Sequence, residues 1–349
     1  MQVQLTWLSL LVACGLGPAA CTSPNSTGSP TSSSASGAQG SSGAGTAGAA
    51  SMPCAASGSA GALTGPGGAG GNPANPSGGA MSDGGAAHAG ASSAGSGGVI
   101  APSPSAGCGK AATETPSQFV KHSLMSSGVS RDFFTYLPAN YDPQKPYPTI
   151  FAFEPCGGSG KPSTNVPIQN ESKDKAIIIS PQAKGTCYEN QILNSPDVTL
   201  FDDTLKYAEA NYCVDQARVF AIGYSAGSWM SIILGCNRAD VIRAHAQVSG
   251  GMPMFIRPGV DCRGSMAALL IHDAGDPTNT INGGLAARDR LLRADGCDAT
   301  TAAWGPSPCV QYQNCKAGFP VVWCQTSGQG HDRQDTLAPA AMWKFFSQF

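Results

Sequence analysis

The most informative segment of the sequence is Arg218-Val219-Phe220-Ala221-Ile222-Gly223-Tyr224-Ser225-Ala226-Gly227. An apolar run leads to a serine with glycines two residues away on either side, and helix-like sequence continues to Cys236. This order is typical of a nucleophile elbow, a strained turn in which side chains at the two glycines would collide. The context carries the interpretation, because a chain rich in glycine and serine also matches the short pattern by chance. The stretch predicts that Ser225 is a nucleophile, with an ordinary turn serine as the alternative.

Apolar runs bounded by turn residues recur on both sides of this elbow. Continuous runs of this kind suit strands that are covered on both faces of a sheet. We predict strands at residues 133–137, 149–153, 176–179, 219–222, 244–248, 268–271 and 321–323. Apolar residues three and four apart predict helices at residues 202–211, 228–236, 284–294 and 337–349. The alternation indicates an α/β fold with a mostly parallel sheet, in which reactive residues collect at the C-terminal strand ends.

Composition divides the 349-residue chain near Gly107. Residues 22–107 are almost wholly Ser, Gly, Ala, Pro and Thr, so they lack the apolar side chains of a core, and we predict a disordered tether. Residues 108–349 are long enough for one catalytic domain. A net charge of −2 with 12% charged residues argues against a nucleic-acid groove or a polybasic membrane surface. We therefore expect an uncharged or small partner and no nucleic acid.

Residues 1–21 contain a short apolar stretch that is typical of an export signal, although no Lys or Arg precedes it. Leu11-Val12-Ala13-Cys14 resembles a bacterial lipobox, in which Cys14 is the lipidated residue. Cys21 is the alternative lipidation site, and a plain secretory signal is a further alternative. Each version predicts a protein that is secreted or held on the outer cell surface, with membrane contact only through a lipid anchor.

Ten of the 13 cysteines lie in residues 108–349. An even number in an exported chain predicts up to five disulfides. The pairing is open, although Cys309 and Cys315 are close enough in sequence to form a small loop. A metal site is the weaker interpretation, because no Cys-x-x-Cys pair occurs and the histidines lack zinc-finger spacing. We expect no metal and no cofactor.

A serine nucleophile needs a base that accepts its proton and a carboxylate that orients the base. Asp276 follows the strand predicted at residues 268–271, where a loop can direct it across the edge of the sheet. His331 lies in a glycine-flanked loop after the last predicted strand. The order Ser225, Asp276, His331 is the order that α/β-hydrolases use. These three residues are the predicted catalytic triad.

Each choice has alternatives. His272 is the second candidate for the base, and Asp273 is the second candidate for the acid. His122 is interpreted as preceding the first strand, and His245 as a residue at the start of a strand, with a role in packing or in solvent contact. Asp295 is interpreted as a solvated helix residue.

Attack on a carbonyl creates an oxyanion, which needs hydrogen-bond donors already in place. The backbone N–H of Ala226 is one predicted donor. The second is the backbone N–H of Cys156, at the start of Cys156-Gly157-Gly158-Ser159-Gly160. The alternative is a glycine-rich turn without substrate contact. No phosphate-binding or dinucleotide pattern accompanies it.

Residues 108–349 resemble the secreted esterases of carbohydrate esterase family one and the related poly(3-hydroxybutyrate) depolymerase-like group. The stretches that carry the resemblance are Gly107-Cys108-Gly109, Tyr136-Leu137-Pro138-Ala139-Asn140-Tyr141-Asp142, Tyr212-Cys213-Val214-Asp215, Gly296-Cys297, Cys309-Val310-Gln311-Tyr312-Gln313-Asn314-Cys315 and Val322-Trp323-Cys324. The resemblance implies an α/β-hydrolase fold and hydrolysis of carboxylic esters. Two positions depart from the family, since Glu154-Pro155 and His272-Asp273 each stand where it usually has His-Gly.

The resemblance further implies a feruloyl or acetylxylan esterase that acts on small-molecule or polysaccharide esters. Tyr224, Trp229, Tyr188 and Trp304 are candidate aromatic contacts for the substrate, and core packing is the alternative for each. Depolymerisation of a polyester such as polyhydroxybutyrate is the alternative activity. A further alternative is a carbohydrate-binding surface protein whose oxyanion hole Glu154-Pro155 has disabled. We expect a monomer.

Overall fold

The computed structural model describes residues 101–158, 162–189, 194–253 and 264–349. The predicted export signal, with Cys14 and Cys21, lies outside the described residues, as does nearly all of the predicted tether.

The described residues form a 10-stranded sheet with the order β1-β2-β4-β3-β5-β6-β7-β10-β9-β8. In chain order the strands are β1 (Phe119–Ser126), β2 (Val129–Tyr136), β3 (Tyr147–Phe153), β4 (Ile177–Pro181), β5 (Val214–Tyr224), β6 (Ile242–Val248), β7 (Ala267–Asp273), β8 (Thr301–Ala303), β9 (Cys309–Tyr312) and β10 (Val321–Thr326). Every pairing from β4 across to β10 is parallel. The outer pairings, which involve β1 and β2 at one edge and β8 and β9 at the other, are antiparallel. This confirms the predicted, mostly parallel sheet of an α/β-hydrolase.

The described helices are α1 (Gln169–Ser172), α2 (Pro196–Asn211), α3 (Ala226–Asn237), α4 (Ile281–Asp295) and α5 (Ala338–Phe346). The start of α2 is fixed by Ser195, whose side chain accepts a hydrogen bond from the Val198 N–H. The end of α4 is fixed by Gly296, which takes the left-handed conformation that glycine tolerates best. None of the helices formed by the described residues has the length and apolar character needed to span a bilayer.

Apolar side chains leave the central strands on both faces, which explains the continuous apolar runs in the sequence. On one face, Phe151 of β3 packs in a cluster with Phe201 of α2. On the other face, Ile150 of β3 packs in a cluster with Phe345 of α5. All four side chains are fully buried. Burial of each contributes roughly 1.5–3 kcal/mol, so the two layers hold the sheet rigid beneath the site.

Four disulfides join the described cysteines, namely Cys108–Cys213, Cys156–Cys187, Cys297–Cys315 and Cys309–Cys324. Cys236 is also disulfide-bonded. The suggested pairing of Cys309 with Cys315 is wrong. Cys309 lies directly opposite Cys324 in the register of β9 and β10, so the sheet brings those two sulfurs together.

The folded domain begins before residue 108, the predicted boundary. The Ser103 N–H donates to the Asp215 carboxylate at 2.8 Å, and the Ser105 N–H donates to the Val214 carbonyl at 2.9 Å. Ser105 is buried. The last residues of the predicted tether, residues 103–107, are therefore part of the domain, because their backbone groups pair with the start of β5.

Candidate active site

Ser225 lies at the junction of β5 and α3 with φ 55° and ψ −118°, a conformation that costs energy for any residue with a side chain. A Cβ atom at Gly223 would lie 2.0 Å from the Gly227 carbonyl carbon. A Cβ atom at Gly227 would lie 2.1 Å from the carbonyl oxygen of Phe153 in β3. Gly223 is thus required by the turn itself and Gly227 by the neighbouring strand. The turn presents the Ser225 side chain at the C-terminal edge of the sheet.

Ser228 fixes the elbow from below. Its hydroxyl oxygen accepts a hydrogen bond from the Val248 N–H at 3.0 Å and lies 2.7 Å from the carbonyl oxygen of Gly223. The side chain is fully buried. Sequence reasoning missed this role, and the available signal was a serine within the otherwise apolar start of α3.

Ser225, His331 and Asp276 form a continuous hydrogen-bonded series. The Ser225 Oγ lies 3.0 Å from the His331 Nε2, and the His331 Nδ1 lies 2.8 Å from the Asp276 Oδ2. Because a carboxylate accepts, Nδ1 carries the proton in the neutral ring, and Nε2 is free to accept one from the serine. The other Asp276 oxygen accepts from the Thr278 and Asn279 N–H groups at 2.8 and 2.9 Å. The arrangement can move a proton from the serine hydroxyl to the imidazole.

His272, the alternative base, lies next to the acid. Its Nε2 is 2.7 Å from the Asn279 carbonyl oxygen and 3.7 Å from the Asp276 Oδ2. Since a carbonyl only accepts, Nε2 donates to Asn279. The ring is buried and stacks on Trp323. His272 therefore supports the turn that holds Asp276, and it is His331 that contacts the serine.

Asp273, the alternative acid, is the last residue of β7 and is fully buried. It accepts hydrogen bonds from the Gly275 and Gln329 N–H groups and from the Thr326 hydroxyl. Burial alone would raise the pKa of this carboxyl, but the donated hydrogen bonds outweigh burial and lower it. Through Gln329, Asp273 anchors the loop that carries His331.

Two hydroxyl groups hold the same loop from the sheet. The Tyr224 hydroxyl donates to the His331 carbonyl oxygen at 3.0 Å, and the Ser249 hydroxyl donates to the Asp332 carbonyl oxygen at 3.0 Å. The rings of Tyr224 and His331 lie 5.3 Å apart. Burial, with a smaller effect of the nearby carboxylates, raises the pKa of Tyr224. These contacts set the position of the imidazole.

The candidate aromatic contacts differ in exposure. Trp229 is half-buried, and its indole N–H donates to the Gly250 carbonyl at 3.0 Å. Tyr224 is also half-buried. Tyr188 and Trp304 are 3% and 9% exposed and belong to the core clusters, so packing accounts for them.

The two predicted oxyanion donors lie on neighbouring elements. Ala226 is the first residue of α3, where backbone N–H groups have no acceptor within the helix. Cys156 lies three residues beyond the end of β3, the strand that contacts the elbow through Phe153 and Gly227. Among the backbone hydrogen bonds that the described residues form in loops, turns and helix caps, none uses the N–H of Ala226 or of Cys156.

The loop around Cys156 is held on several sides. The Gly157 N–H donates to the Thr186 carbonyl at 2.7 Å, and the Cys156–Cys187 disulfide ties the same two segments together. The Gly158 N–H donates to the Pro155 carbonyl at 3.1 Å, closing a turn. The described part of the predicted loop ends at Gly158.

Glu154 lies buried beneath this turn. Its Oε1 accepts from the Ala183 N–H at 3.1 Å. A Cβ atom at Gly158 would lie 2.4 Å from its Oε2. The departure Glu154-Pro155 thus places a carboxylate under the turn.

Two other sequence interpretations are wrong. His122 lies within β1, where its Nε2 is 2.9 Å from the Glu114 carboxylate and its Nδ1 is 3.2 Å from the Tyr207 hydroxyl. Asp295 is 2% exposed, and burial raises its pKa to about 6. It lies on the inner side of α4, where it accepts from the Met266 N–H. The role of His245 as a packed strand residue fits its full burial, which lowers its pKa to about 3.

Known proteins resemble this chain in sequence and in fold, although no family model matches it. Feruloyl esterase D of Neurospora crassa is 32% identical over 276 residues, which cover 72% of this chain and 92% of that protein. Feruloyl esterase C of Emericella nidulans is 30% identical over 263 residues, 69% of this chain and 90% of that protein.

Two solved structures share the fold. Acetyl xylan esterase from Aspergillus awamori has a TM-score of 0.50 at 14% identity, over 66% of this chain and 100% of that one. The feruloyl esterase module from Clostridium thermocellum has a TM-score of 0.50 at 13% identity, over 71% of this chain and 93% of that one. These structures show the α/β-hydrolase fold, and the sequence relatives show that the chain belongs to the feruloyl esterase family of carboxylic ester hydrolases.

Proposed function

We propose that this enzyme hydrolyses feruloyl esters of plant cell-wall polysaccharide, with Ser225 as nucleophile, His331 as base and Asp276 as the acid that orients it. The observation that most supports this proposal is the hydrogen-bonded series through His331, whose Nε2 lies 3.0 Å from the Ser225 Oγ and whose Nδ1 lies 2.8 Å from the Asp276 Oδ2. The names of the sequence relatives, feruloyl esterases C and D, support the substrate.

In the first half of the reaction, Ser225 Oγ attacks the ester carbonyl carbon while His331 Nε2 takes the hydroxyl proton. The carboxylate of Asp276 stabilises the imidazolium, and the N–H groups of Ala226 and Cys156 donate to the oxyanion. Collapse of this intermediate breaks the bond to the alcohol oxygen, which leaves with the proton from His331. The acyl group stays on Ser225.

In the second half, His331 takes a proton from water, and the resulting hydroxide attacks the acyl-enzyme carbonyl. Collapse releases the hydroxycinnamic acid, and His331 returns the proton to Ser225. The half-buried rings of Tyr224 and Trp229 flank the serine in sequence and are the proposed contacts for the aromatic acyl group.

The proposed location is outside the cell, with a lipid anchor at Cys14 or, alternatively, Cys21. Disulfides at Cys108–Cys213 and Cys309–Cys324 support export, because such bonds persist in oxidising compartments. Labelling of the full chain with a radioactive or alkyne-bearing fatty acid in a bacterial host tests the anchor. Label that persists in Cys14→Ala but not in Cys21→Ala would move the anchor to Cys21.

The substrate is tested by hydrolysis of methyl ferulate, an acetylated xylan and a hydroxybutyrate oligomer by the purified protein. We expect the highest kcat/KM for methyl ferulate. A higher value for acetylated xylan or for the oligomer would reassign the substrate to that ester. Failure on all three by folded protein would instead favour a binding role.

A further inference from the structure

A polar cavity of about 430 Å³ borders the loop that carries His331. Its wall includes Gln329 and Asp332, which lie on either side of that histidine in the sequence, and Thr326 at the end of β10. Ser307, which lies two residues before the start of β9, also lines the cavity. The cavity thus lies at the C-terminal end of β10, the same edge of the sheet that holds Ser225. Its volume is within the range of small-ligand sites.

The side chains of the wall are held in place by one another. The Gln334 Nε2 donates to the Thr326 hydroxyl at 3.0 Å, and the Gln334 N–H donates to the Asp332 carboxylate. Gln334 is 5% exposed, although it lies in a surface loop. Arg333 in turn fixes the loop, since its guanidinium donates to the Asn165 carbonyl at 3.0 Å and pairs with Asp335. The cavity is therefore formed before any ligand arrives.

The chemistry of the wall suits a neutral ligand with many hydroxyl groups. The carboxylates of Asp332 and Asp335 accept hydrogen bonds, and the amide of Gln329 both donates and accepts. Lys and Arg are absent from the described residues that line the cavity, so an anion is disfavoured. Leu337 and Pro308 add small apolar surfaces, which match the C–H face of a sugar ring.

The direction of the proposed reaction connects this cavity to the active site. The leaving alcohol receives its proton from His331 Nε2, so the alcohol oxygen must lie within hydrogen-bond reach of that nitrogen, and the cavity wall begins at the next residue along the chain, Asp332. We propose that the cavity binds the sugar residue that carries the ester, that is, the alcohol part of the substrate. This inference rests on the proposed function.

The test compares methyl ferulate, whose alcohol is too small to reach the cavity, with a feruloylated xylan oligosaccharide. The variants are Ser307→Ala and Thr336→Val, two exposed side chains of the wall. The matched control is Ser130→Ala, an exposed serine of β2 that does not line the cavity. We expect each wall variant to raise KM for the oligosaccharide ester about fivefold, since each loses a hydrogen bond to the sugar. Their kcat/KM for methyl ferulate should equal that of the wild type.

The result separates the two proposals. If the wild type hydrolyses both esters and the wall variants keep its KM for the oligosaccharide, the cavity does not bind the sugar and the esterase activity stands. An equal rise of KM for both esters would also overturn the cavity assignment, because it would place the effect at the acyl site. Failure of folded wild type on both esters would reject the proposed function and the sugar site together.

Discussion

Asp273 and Asp276 are buried carboxylates three residues apart at the end of β7, yet their partners differ. Asp276 contacts the Nδ1 of His331, whereas Asp273 accepts from Gln329 and Thr326. The sequence predicted Asp276 as the acid and left Asp273 as the alternative. The separation of their roles depends on the turn at residues 274–279, whose N–H groups hold each carboxylate.

We predict that Asp276→Asn lowers kcat/KM for methyl ferulate by roughly 10³–10⁴-fold, because an amide stabilises the wrong tautomer of His331. The matched control is Asp273→Asn, which keeps the catalytic contacts but mispairs the donors from Gln329 and Thr326. It should cost roughly 1–3 kcal/mol of stability and, because it also loosens the loop that carries His331, lower kcat by no more than about tenfold. Steady-state kinetics and thermal unfolding provide the two readouts. Similar losses of kcat in both variants would contradict the assignment of the acid.

Asp295 makes the stability of the domain depend on pH. Burial raises its pKa from 3.8 to about 6, against hydrogen bonds from Ser265 and Met266. Folding therefore favours the protonated form, so its contribution is fully present below about pH 4 and is lost as the pH rises through about 6. The difference corresponds to about 3 kcal/mol.

We predict that Asp295→Asn, which stays neutral, removes this dependence. The unfolding free energy of the wild type, relative to that of the variant, should fall by up to about 3 kcal/mol between pH 4 and pH 7. Urea unfolding at a series of pH values measures it. Parallel curves for the two proteins would show that Asp295 titrates normally.

The Cys156–Cys187 disulfide links two loops of the domain. One contains a proposed oxyanion donor, the Cys156 N–H, and the other is the segment after β4. Both cysteines are exposed. The Cys297–Cys315 disulfide joins the end of α4 to the loop after β9, and its cysteines are half-buried. The two bonds span sequence separations of 31 and 18 residues, for which the stabilisation expected from loop closure is comparable, so they serve as test and control.

We predict that Cys156→Ser/Cys187→Ser lowers kcat for methyl ferulate at least tenfold, because the Cys156 N–H loses its fixed position. Cys297→Ser/Cys315→Ser should leave kcat within about twofold. Each double variant should lose roughly 3 kcal/mol of stability, as expected when a short loop is opened. The test is kcat of both double variants for methyl ferulate, measured at a temperature at which both remain folded. Unchanged kcat in the first variant would remove Cys156 from the oxyanion hole.

Strands that are covered on both faces could be predicted from sequence, since β3, β7 and the other buried strands are continuous apolar runs. The edge strands could not. Residues alternate in exposure along β1, and all three residues of β8 are exposed, so neither has an apolar run. Their place depends on pairing with distant partners, which a local pattern does not encode. The same limit explains why the disulfide pairing followed only from the sheet register.

Residues 103–107 lie along the start of β5, at the edge of the domain opposite to Ser225. Their composition resembles that of the predicted tether. They nevertheless belong to the domain, because their backbone groups form hydrogen bonds, which composition does not reveal. Gly107 shows this, since a Cβ atom there would lie 2.3 Å from the Tyr212 carbonyl oxygen.

We predict that a chain beginning at Ala101 is more stable than one beginning at Cys108. The shorter chain loses the hydrogen bonds from Ser103, Ser105 and Gly107, each worth roughly 0.5–1.5 kcal/mol. Its unfolding midpoint should fall by several degrees, while kcat at low temperature stays the same because the active site is at the opposite edge. Identical midpoints would show that residues 101–107 add nothing to the fold.

Ser225, held by the elbow, lies 3.0 Å from the His331 Nε2 at the C-terminal edge of the sheet, and we propose that His331 activates it. Mass spectrometry of the protein after reaction with a fluorophosphonate, which modifies activated serines, tests this activation. We predict one phosphonyl adduct on Ser225 in the wild type, none in Ser225→Ala and greatly slowed formation in His331→Asn. Folded wild type that stays unlabelled, or an adduct that persists in Ser225→Ala, would contradict the assignment of Ser225 as the activated nucleophile.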